Sequence, residues 1–352
     1  MVYLLATYYE SICALIAYYL VQSFRDPLPW SYCRPEWGVN CIDSAPRSWL
    51  DEAKFIDSHS SGNWSLVYGN LTKEYNQRII SSSEFYFVKD VLREKDNIND
   101  GIGLPNWELV LGLLVSWTTI FLVIRRGVKS SGKASYFLAL FPYVIMAVLL
   151  VRAVTLPGSA DGVVCRGYTV FLFSIRVLWQ YHHVLFVQQV RSQHTSGCND
   201  SHHFGHFHVA NSGFTIFGIL GNLAYEIGTD DIGTVVKGGT GLAFISYPDA
   251  ISKFKTLPQI FSVLFFLMLF ILGIGSNIAM TSCTVTAIRD SFPNIKQWHC
   301  ALGISIISFF IGLAYVTPGG QFILTLVDFY GASMIALIWA YWSFMYWAGF
   351  ME

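Results

Sequence analysis

The chain has 352 residues and a net charge of −1 at pH 7; 53% of its residues are hydrophobic and only 13% are charged. A soluble domain of this size carries about twice that charged fraction. Binding to nucleic acid requires a basic excess that this chain lacks. The composition therefore excludes an ordinary soluble domain and gives no support for a nucleic-acid partner.

The hydrophobic residues occur in long runs, several of which reach the roughly 18 apolar residues that mark a membrane-spanning helix. Lipid leaves backbone groups no partner outside a helix or a closed barrel, so these runs are expected to be helical. The sequence predicts an all-α polytopic membrane protein embedded in a lipid bilayer. The predicted spanning helices are residues 1–24, 107–128, 131–158, 259–288, 298–316 and 319–348.

The first predicted helix carries Glu10 near its middle. A carboxylate at that depth is costly, so it is expected to face the interior of a helix bundle or a water-filled path. The alternative is a shorter helix with Glu10 near the membrane interface.

Residues 25–106 form the longest polar stretch, which contains Cys33 and Cys41. It also holds two acceptor sequons for N-glycosylation, at Asn63 and Asn70. The two cysteines are predicted to form a disulfide. Disulfides and glycans both occur on the extracellular side, so the stretch is predicted to be an extracellular loop.

The next connection, residues 125–133, holds four basic residues and no acidic one. The positive-inside rule places it in the cytosol, which agrees with an extracellular loop one crossing earlier. The stretch 228–258 is polar and rich in glycine, and it is predicted to be a second extracellular loop. The apolar run 213–227 between them is too short to span a bilayer.

Residues 164–212 are anomalous, because seven of the nine histidines lie between His182 and His208. A His-rich loop of this kind binds zinc or copper in some proteins, which would suit a metal transporter. It is also compatible with a solvated loop that has no role. A third interpretation is a frame-shifted segment, since residues 179–190 can be back-translated so that the neighbouring frame encodes FGNIIMYSSYNK.

The chain shows no H-E-x-x-H, P-loop or nucleophile-elbow pattern and no cluster of catalytic carboxylates. An enzyme is therefore not predicted. The sequence does not indicate an oligomeric state.

Several motifs follow one another along most of the chain. They are Asp26–Trp30 with Cys33 and Cys41, Ser83–Tyr86, Gly127–Lys133, Phe141–Tyr143, Val151–Gly158, Gly241–Pro248 and Leu272–Asn277. In this order they resemble the sodium- and chloride-dependent neurotransmitter symporter family, most closely its insect nutrient amino acid branch. The neighbouring-frame peptide FGNIIMYSSYNK also resembles the family's sixth helix.

The resemblance implies a bundle of two inverted repeats, with substrate and sodium held near the membrane midplane by two broken helices. It also implies an incomplete copy, which lacks the family's first two and last two helices. Residues 1–24, 259–288 and 319–348 then correspond to the third, eighth and tenth helices, and 213–227 to a remnant of the seventh.

The resemblance further implies site residues. Tyr9 would hydrogen-bond the substrate carboxylate, and Leu5, one turn earlier, would line the side-chain pocket. Leu272 through its carbonyl and Ser276 through its hydroxyl would bind sodium, with Gly275 at a ligand position that has lost its side-chain oxygen. Ser276 would also contact the substrate. Taken without the resemblance, Tyr9 suits a helix interface, and Gly275 and Ser276 suit close helix packing.

The predicted function is a sodium-coupled amino acid symporter of the plasma membrane, for neutral or aromatic amino acids. Sodium is the expected co-transported ion and the only metal expected at the site. Chloride is a further candidate, whose ligands would lie on helices that are absent or unreadable here. The chain as written is expected to be inactive in transport. A rival hypothesis is a non-transporting membrane fragment that associates with a full-length relative.

Overall fold

A computed structural model describes most of the chain. The described residues are 2–37, 41–45, 80–95, 101–125, 128–155, 215, 218–225, 241–254, 257–292, 295–334, 338, 341–342 and 345. The two predicted sequons at Asn63 and Asn70 and the anomalous segment 164–212 lie outside these residues.

The described part is mostly helical, in accord with the predicted all-α class. Its main helices are α1 (Val2–Gln22), α2 (Ser82–Phe85), α3 (Trp107–Ile124), α4 (Val128–Thr155), α5 (Tyr247–Ser252), α6 (Pro258–Ser291), α7 (Gln297–Tyr315) and α8 (Gly320–Leu326). Wider π-helical turns follow α2 at Tyr86–Leu92, precede α5 at Leu242–Ser246 and follow α8 at Val327–Met334. A two-residue parallel pair joins β1 (Cys41–Ile42) to β2 (Ile80–Ser81).

In the described part, four helices are long and apolar enough to cross a membrane: α1, α3, α6 and α7. Helix α4 has 28 residues with Pro142 inside, and its apolar portion is the shorter Leu140–Thr155. Helix α3 ends at Ile124, four residues before the predicted boundary at 128, whereas α6 continues to Ser291, three residues beyond the predicted 288.

The contacts divide the chain into two compact units. The first comprises Met1–Gln22, Val91–Pro142 and Val263–Glu352, and the second comprises Ser23–Asp90 and Tyr143–Ser262. Each unit has its own buried core, and the two are described in turn.

In the first unit, helix α3 begins because Asn106 caps it. The Asn106 side chain accepts a hydrogen bond from the Glu108 amide at 3.3 Å and donates one to the Val91 carbonyl at 3.1 Å. An N-cap of this kind satisfies backbone donors that the first turn leaves open. At the other end, the Gln297 amide donates to the Ile124 carbonyl at 3.2 Å.

Helix α3 has a buried face and an exposed apolar face. Its buried residues recur every three or four positions: Leu109, Leu113, Ser116, Trp117, Ile120 and Ile124. Leu111, Leu114, Val115 and Leu122 on the remaining surface are each about half exposed. An apolar helix surface outside the core is what contact with lipid requires.

Helix α1 packs against α3 and α7 in the first unit. The α1–α3 approach is closest at Gly112, where an added Cβ would lie 2.9 Å from the Ala14 carbonyl oxygen. The α3–α7 approach is closest at Gly312, where a Cβ would lie 2.9 Å from Leu113 Cδ2. Small residues thus set the helix spacing, as is common where helices pack in a membrane.

The second unit contains the predicted disulfide. Cys33 and Cys41 are bonded, with their Cα atoms 5.9 Å apart, which confirms the pairing. Beside the bridge, Arg34 pairs with Asp90 at 2.5 Å and lies 5.3 Å above the Trp37 ring.

The predicted loop 25–106 is structured where it is described. The Ser82 hydroxyl, at the start of α2, donates to the Trp30 carbonyl at 2.8 Å, and the Trp30 side chain is fully buried against Tyr86. The polar composition of this stretch did not indicate that Trp30 and its neighbours would be buried.

The predicted loop 228–258 contains the helical turns Leu242–Ser246 and α5, whose residues are all buried. Asp249 on α5 is 8% exposed, and this burial raises the pKa of its carboxyl. The glycines and acidic residues of the stretch predicted a loop because they weaken helix propensity, but tertiary packing overrides that preference here.

We expect Gly112→Ala to destabilise the first unit by about 1–3 kcal/mol, because the new methyl group meets the α1 backbone, which cannot rotate away. The measurement is the melting temperature of the purified protein in detergent. Gly303→Ala on α7 is the matched control, since nothing lies within 4 Å of its added Cβ. This control should be neutral or stabilising by up to about 1 kcal/mol, through helix propensity. Equal melting temperatures for the two variants would contradict the close α1–α3 packing.

Candidate functional site

The residues predicted to bind substrate and sodium lie on α1 and α6, in the parts of these helices that belong to the first unit. The two helices meet at Gly273, where an added Cβ would lie 2.6 Å from Cys13 Sγ and 3.9 Å from the Tyr9 ring. A glycine suits this position because any larger residue would make the Cys13 side chain shift.

Tyr9 and Ser276 are brought together at this contact. The Tyr9 hydroxyl and the Ser276 hydroxyl approach each other here and interact. Tyr9 is half-buried and Ser276 is exposed, so the serine hydroxyl is accessible to a ligand. The predicted substrate residue of α1 and the predicted sodium residue of α6 therefore form one polar pair.

The other predicted residues lie on the same helix faces. Leu5 is half-buried and precedes Tyr9 by four residues, so both side chains are on one side of α1. Leu272 is half-buried and precedes Ser276 by the same interval, with the half-buried Gly275 beside it.

The oxygens at this contact have the chemistry expected of part of a sodium site. Hard cations take about six oxygen ligands, from carbonyls, hydroxyls and carboxylates. The Leu272 carbonyl and the Ser276 hydroxyl are of the right kind, whereas Gly275 has no side-chain oxygen to offer. The described residues thus fit sodium in chemistry but supply only a few of the ligands that it needs.

Next to this contact, a carboxylate and an amide are buried together. Glu10 and Asn277 are both 0% exposed, and the Asn277 amide donates to the Glu10 Oε2 and, at 3.3 Å, to the Ala6 carbonyl. The expectation that Glu10 faces the interior is confirmed. Its partner was not predicted, although an asparagine inside an otherwise apolar helix was a usable signal.

A second unpredicted contact involves Asp328, in the π-helical turn after α8. Its carboxylate approaches the Tyr8 hydroxyl, so an acidic group lies near α1 at Tyr8. An acidic residue within a long apolar run was again the available signal, as it was for Glu10.

A family comparison matches nearly the whole chain. The model of the sodium:neurotransmitter symporter family matches residues 1–187 and 203–350. The chain belongs to this family. The match places the chain in a family of transporters and not in an enzyme family. Together with the apolar helices, it indicates a multi-pass membrane protein.

Several similar proteins come from fruit flies. The chain is 48% identical to "Sodium-dependent nutrient amino acid transporter 1" of Drosophila erecta, over 95% of this chain and 55% of the relative. The proteins of the same name from Drosophila melanogaster and Drosophila willistoni are 47% and 48% identical, each over 95% of this chain. The chain spans about half the length of the curated relatives it matches, 55% in each of these three cases.

The family match leaves residues 188–202 outside it. These residues fall within the anomalous segment 164–212, the first part of which, up to residue 187, lies inside the matched range. The frame-shift interpretation stays a prediction.

The contact at Gly273 yields a double-mutant prediction. We expect Gly273→Ala to lower the melting temperature, because the added methyl group meets the Cys13 sulfur. Adding Cys13→Ala removes that sulfur, so the double variant should lose less stability than the two single variants together, by about 0.5–3 kcal/mol. The measurement is again thermal unfolding of the purified protein.

Cys300→Ala is the matched control, because Cys300 is another buried cysteine, on α7. Combined with Gly273→Ala, it should give additive losses. Additivity with Cys13→Ala as well would show that α1 and α6 do not meet at Gly273.

Proposed function

We propose that this chain is part of a sodium-coupled symporter that carries amino acids across the plasma membrane. Family membership and the relatives' names support sodium coupling and an amino acid substrate. Neutral or aromatic amino acids are the proposed substrates, and chloride is a candidate additional ion.

The observation that carries the proposal is the contact between α1 and α6, where Tyr9 and Ser276 approach each other closely enough for their hydroxyls to form a hydrogen bond. This contact joins a residue proposed to bind the substrate carboxylate to one proposed to bind sodium. Direct contact between two such residues gives the two ligands a physical means of affecting each other's affinity, which symport requires.

The direction of that hydrogen bond follows from the chemistry of a hydroxyl. A hydroxyl has one donor and two acceptor lone pairs. When the Ser276 oxygen faces a sodium ion, its hydrogen points away from the ion and donates to Tyr9. The Tyr9 hydroxyl accepts this bond and keeps its own hydrogen for the substrate carboxylate. Sodium bound at Ser276 therefore orients Tyr9 for the amino acid.

Transport then follows alternating access. Sodium stabilises the outward-open state, the amino acid closes the outer gate over Tyr9, and rearrangement of the bundle releases both ligands inward. Leu5, on the Tyr9 face of α1, contributes to the pocket for the amino acid side chain.

We expect Tyr9→Phe in the full-length protein to raise the KM for amino acid uptake roughly tenfold to 100-fold, because a hydrogen bond to a charged group is lost. The measurement is uptake of labelled leucine and phenylalanine in oocytes, in sodium and in choline medium. The same variant should also weaken the dependence of uptake on sodium, since Ser276 loses its acceptor.

Tyr3→Phe is the matched control, because it removes a hydroxyl from the same helix. Tyr3 bonds Ser308 on α7 at 3.1 Å, away from the predicted site residues. Its KM should stay within about threefold of the wild type, the loss of an ordinary hydrogen bond at most. Sodium-independent uptake by the wild-type protein, or no uptake of any amino acid, would contradict the proposed function.

We also propose that residues 164–212 are a frame-shifted stretch of the coding sequence. The family match leaves out residues 188–202 of this stretch, which supports this origin, whereas residues 164–187 and 203–212 lie inside the matched ranges. Long-read sequencing of the transcript across codons 160–215 should reveal an inserted or alternative exon that restores the family frame. A transcript identical to the printed frame would contradict the frame shift and leave the non-transporting fragment as the interpretation to test.

A further inference from the structure

The buried Glu10 has a set of unpaired oxygens around it. Among the described residues, four side-chain oxygens at most 1% exposed make no hydrogen bond of good geometry: Glu10 Oε1, Ser116 Oγ, Asn277 Oδ1 and Thr281 Oγ1. Unpaired buried polar atoms are uncommon in folded proteins, and each one calls for an explanation.

The helix registers bring three of these oxygens to one level. Gly112 on α3 meets Ala14 on α1, so Ser116, one turn further along α3, comes level with Glu10, one turn back along α1. The Ser116 hydroxyl indeed approaches the Glu10 carboxyl. Asn277 reaches the same carboxyl from α6, and Thr281 lies one turn beyond Asn277.

The hydrogen bonds of the Asn277 side-chain amide identify which of its two polar atoms has no partner. Its nitrogen donates to two acceptors, the Ala6 carbonyl and Glu10 Oε2. The opposite orientation would place the amide oxygen against two oxygens with no hydrogen between them. The free atom is therefore the carbonyl oxygen, a ligand for a cation and not a donor to an anion.

The carboxylate has no cationic side chain near it on these helices. Within α1, α3 and α6 the one basic residue is Arg289, twelve positions along α6 from Asn277, or roughly 18 Å away. The other acidic or titratable groups that α1 and its described neighbours bring close are Tyr9, Cys13 and Asp328, none of which is positively charged. A buried carboxylate without a counter-charge is strongly disfavoured.

We propose that Glu10, Asn277 and Ser116 bind one monovalent cation of sodium size, with Thr281 as an outer ligand. This site is separate from the predicted sodium residues Leu272, Gly275 and Ser276. One carboxylate balances one positive charge, whereas a divalent ion would leave an excess charge buried. One carboxylate, one amide carbonyl and hydroxyls form a hard oxygen set, which suits an alkali cation and not a transition metal.

The proposal deepens the proposed function, because a second cation site would let transport draw on more than one sodium ion. Binding is nevertheless measurable without transport. An ion that binds the folded state raises the melting temperature in proportion to the logarithm of its concentration above Kd.

The test is the melting temperature of the purified full-length protein at increasing NaCl, with choline chloride keeping the ionic strength constant. We expect Glu10→Gln to weaken the sodium-dependent rise, with an apparent Kd about tenfold or more higher, because the charged ligand is lost. Ser116→Ala should weaken it in the same direction and by less. Glu108→Gln removes a carboxyl at the start of α3, outside the cluster, and should leave the sodium dependence unchanged.

Ser276→Ala separates the two sites. If both bind sodium, Ser276→Ala and Glu10→Gln each remove part of the rise, and the double variant removes more than either. A protonated Glu10 gives a different result: Glu10→Gln then stabilises the protein equally in sodium and choline, and its sodium dependence equals that of the wild type. That result overturns the proposal. Because this readout needs no uptake, it is distinguishable from a failure of the proposed transport function.

Discussion

The hydrogen bond from Asn277 to Glu10 determines how the first unit is assembled around α1. Both groups are fully buried, so neither tolerates separation from the other without leaving a polar atom stranded in an apolar core. The bond therefore fixes the rotation of α1 relative to α6. That rotation in turn sets Tyr9 beside Ser276 and aligns Glu10 with Ser116 on α3.

Two glycines also allow the helices to pack closely around this polar contact. Gly273 lets α6 approach α1, and Gly112 lets α3 approach it from another direction. In a membrane, where apolar side chains gain little by leaving lipid for protein, close backbone approach and a few buried hydrogen bonds provide much of the association energy. Helix α1 makes both close backbone contacts and a buried hydrogen bond. These interactions explain how the helix accommodates the polar residue Glu10 in a buried position.

Sequence patterns were informative where the signal is local. The apolar runs predicted α1, α3, α6 and α7 to within a few residues, because spanning length is imposed by bilayer thickness. The Cys33–Cys41 pairing was predicted as well. The helical turns at Leu242–Ser246 were missed, since their burial depends on partners distant in sequence.

The candidate site was predicted unevenly for the same reason. Tyr9 and Ser276 were named from the resemblance, but their contact depends on how two helices are packed whose residues are 267 positions apart in the sequence. Glu10 was predicted to be buried from its cost alone. Asn277, Ser116 and Asp328 become neighbours of α1 only through the helix registers, which composition and periodicity do not contain.

The contact between Gly112 and the Ala14 carbonyl has a mechanical meaning. At this point no side-chain atoms separate the main chains of α1 and α3, so one helix cannot slide easily along the other. Rolling one helix over the other would bring a Cβ atom into collision with the main chain of its neighbour. Sliding or rolling of one helix over the other is therefore resisted at this contact, so α1 and α3 are expected to move together. Relative movement of helices is easier at contacts where side chains separate the main chains.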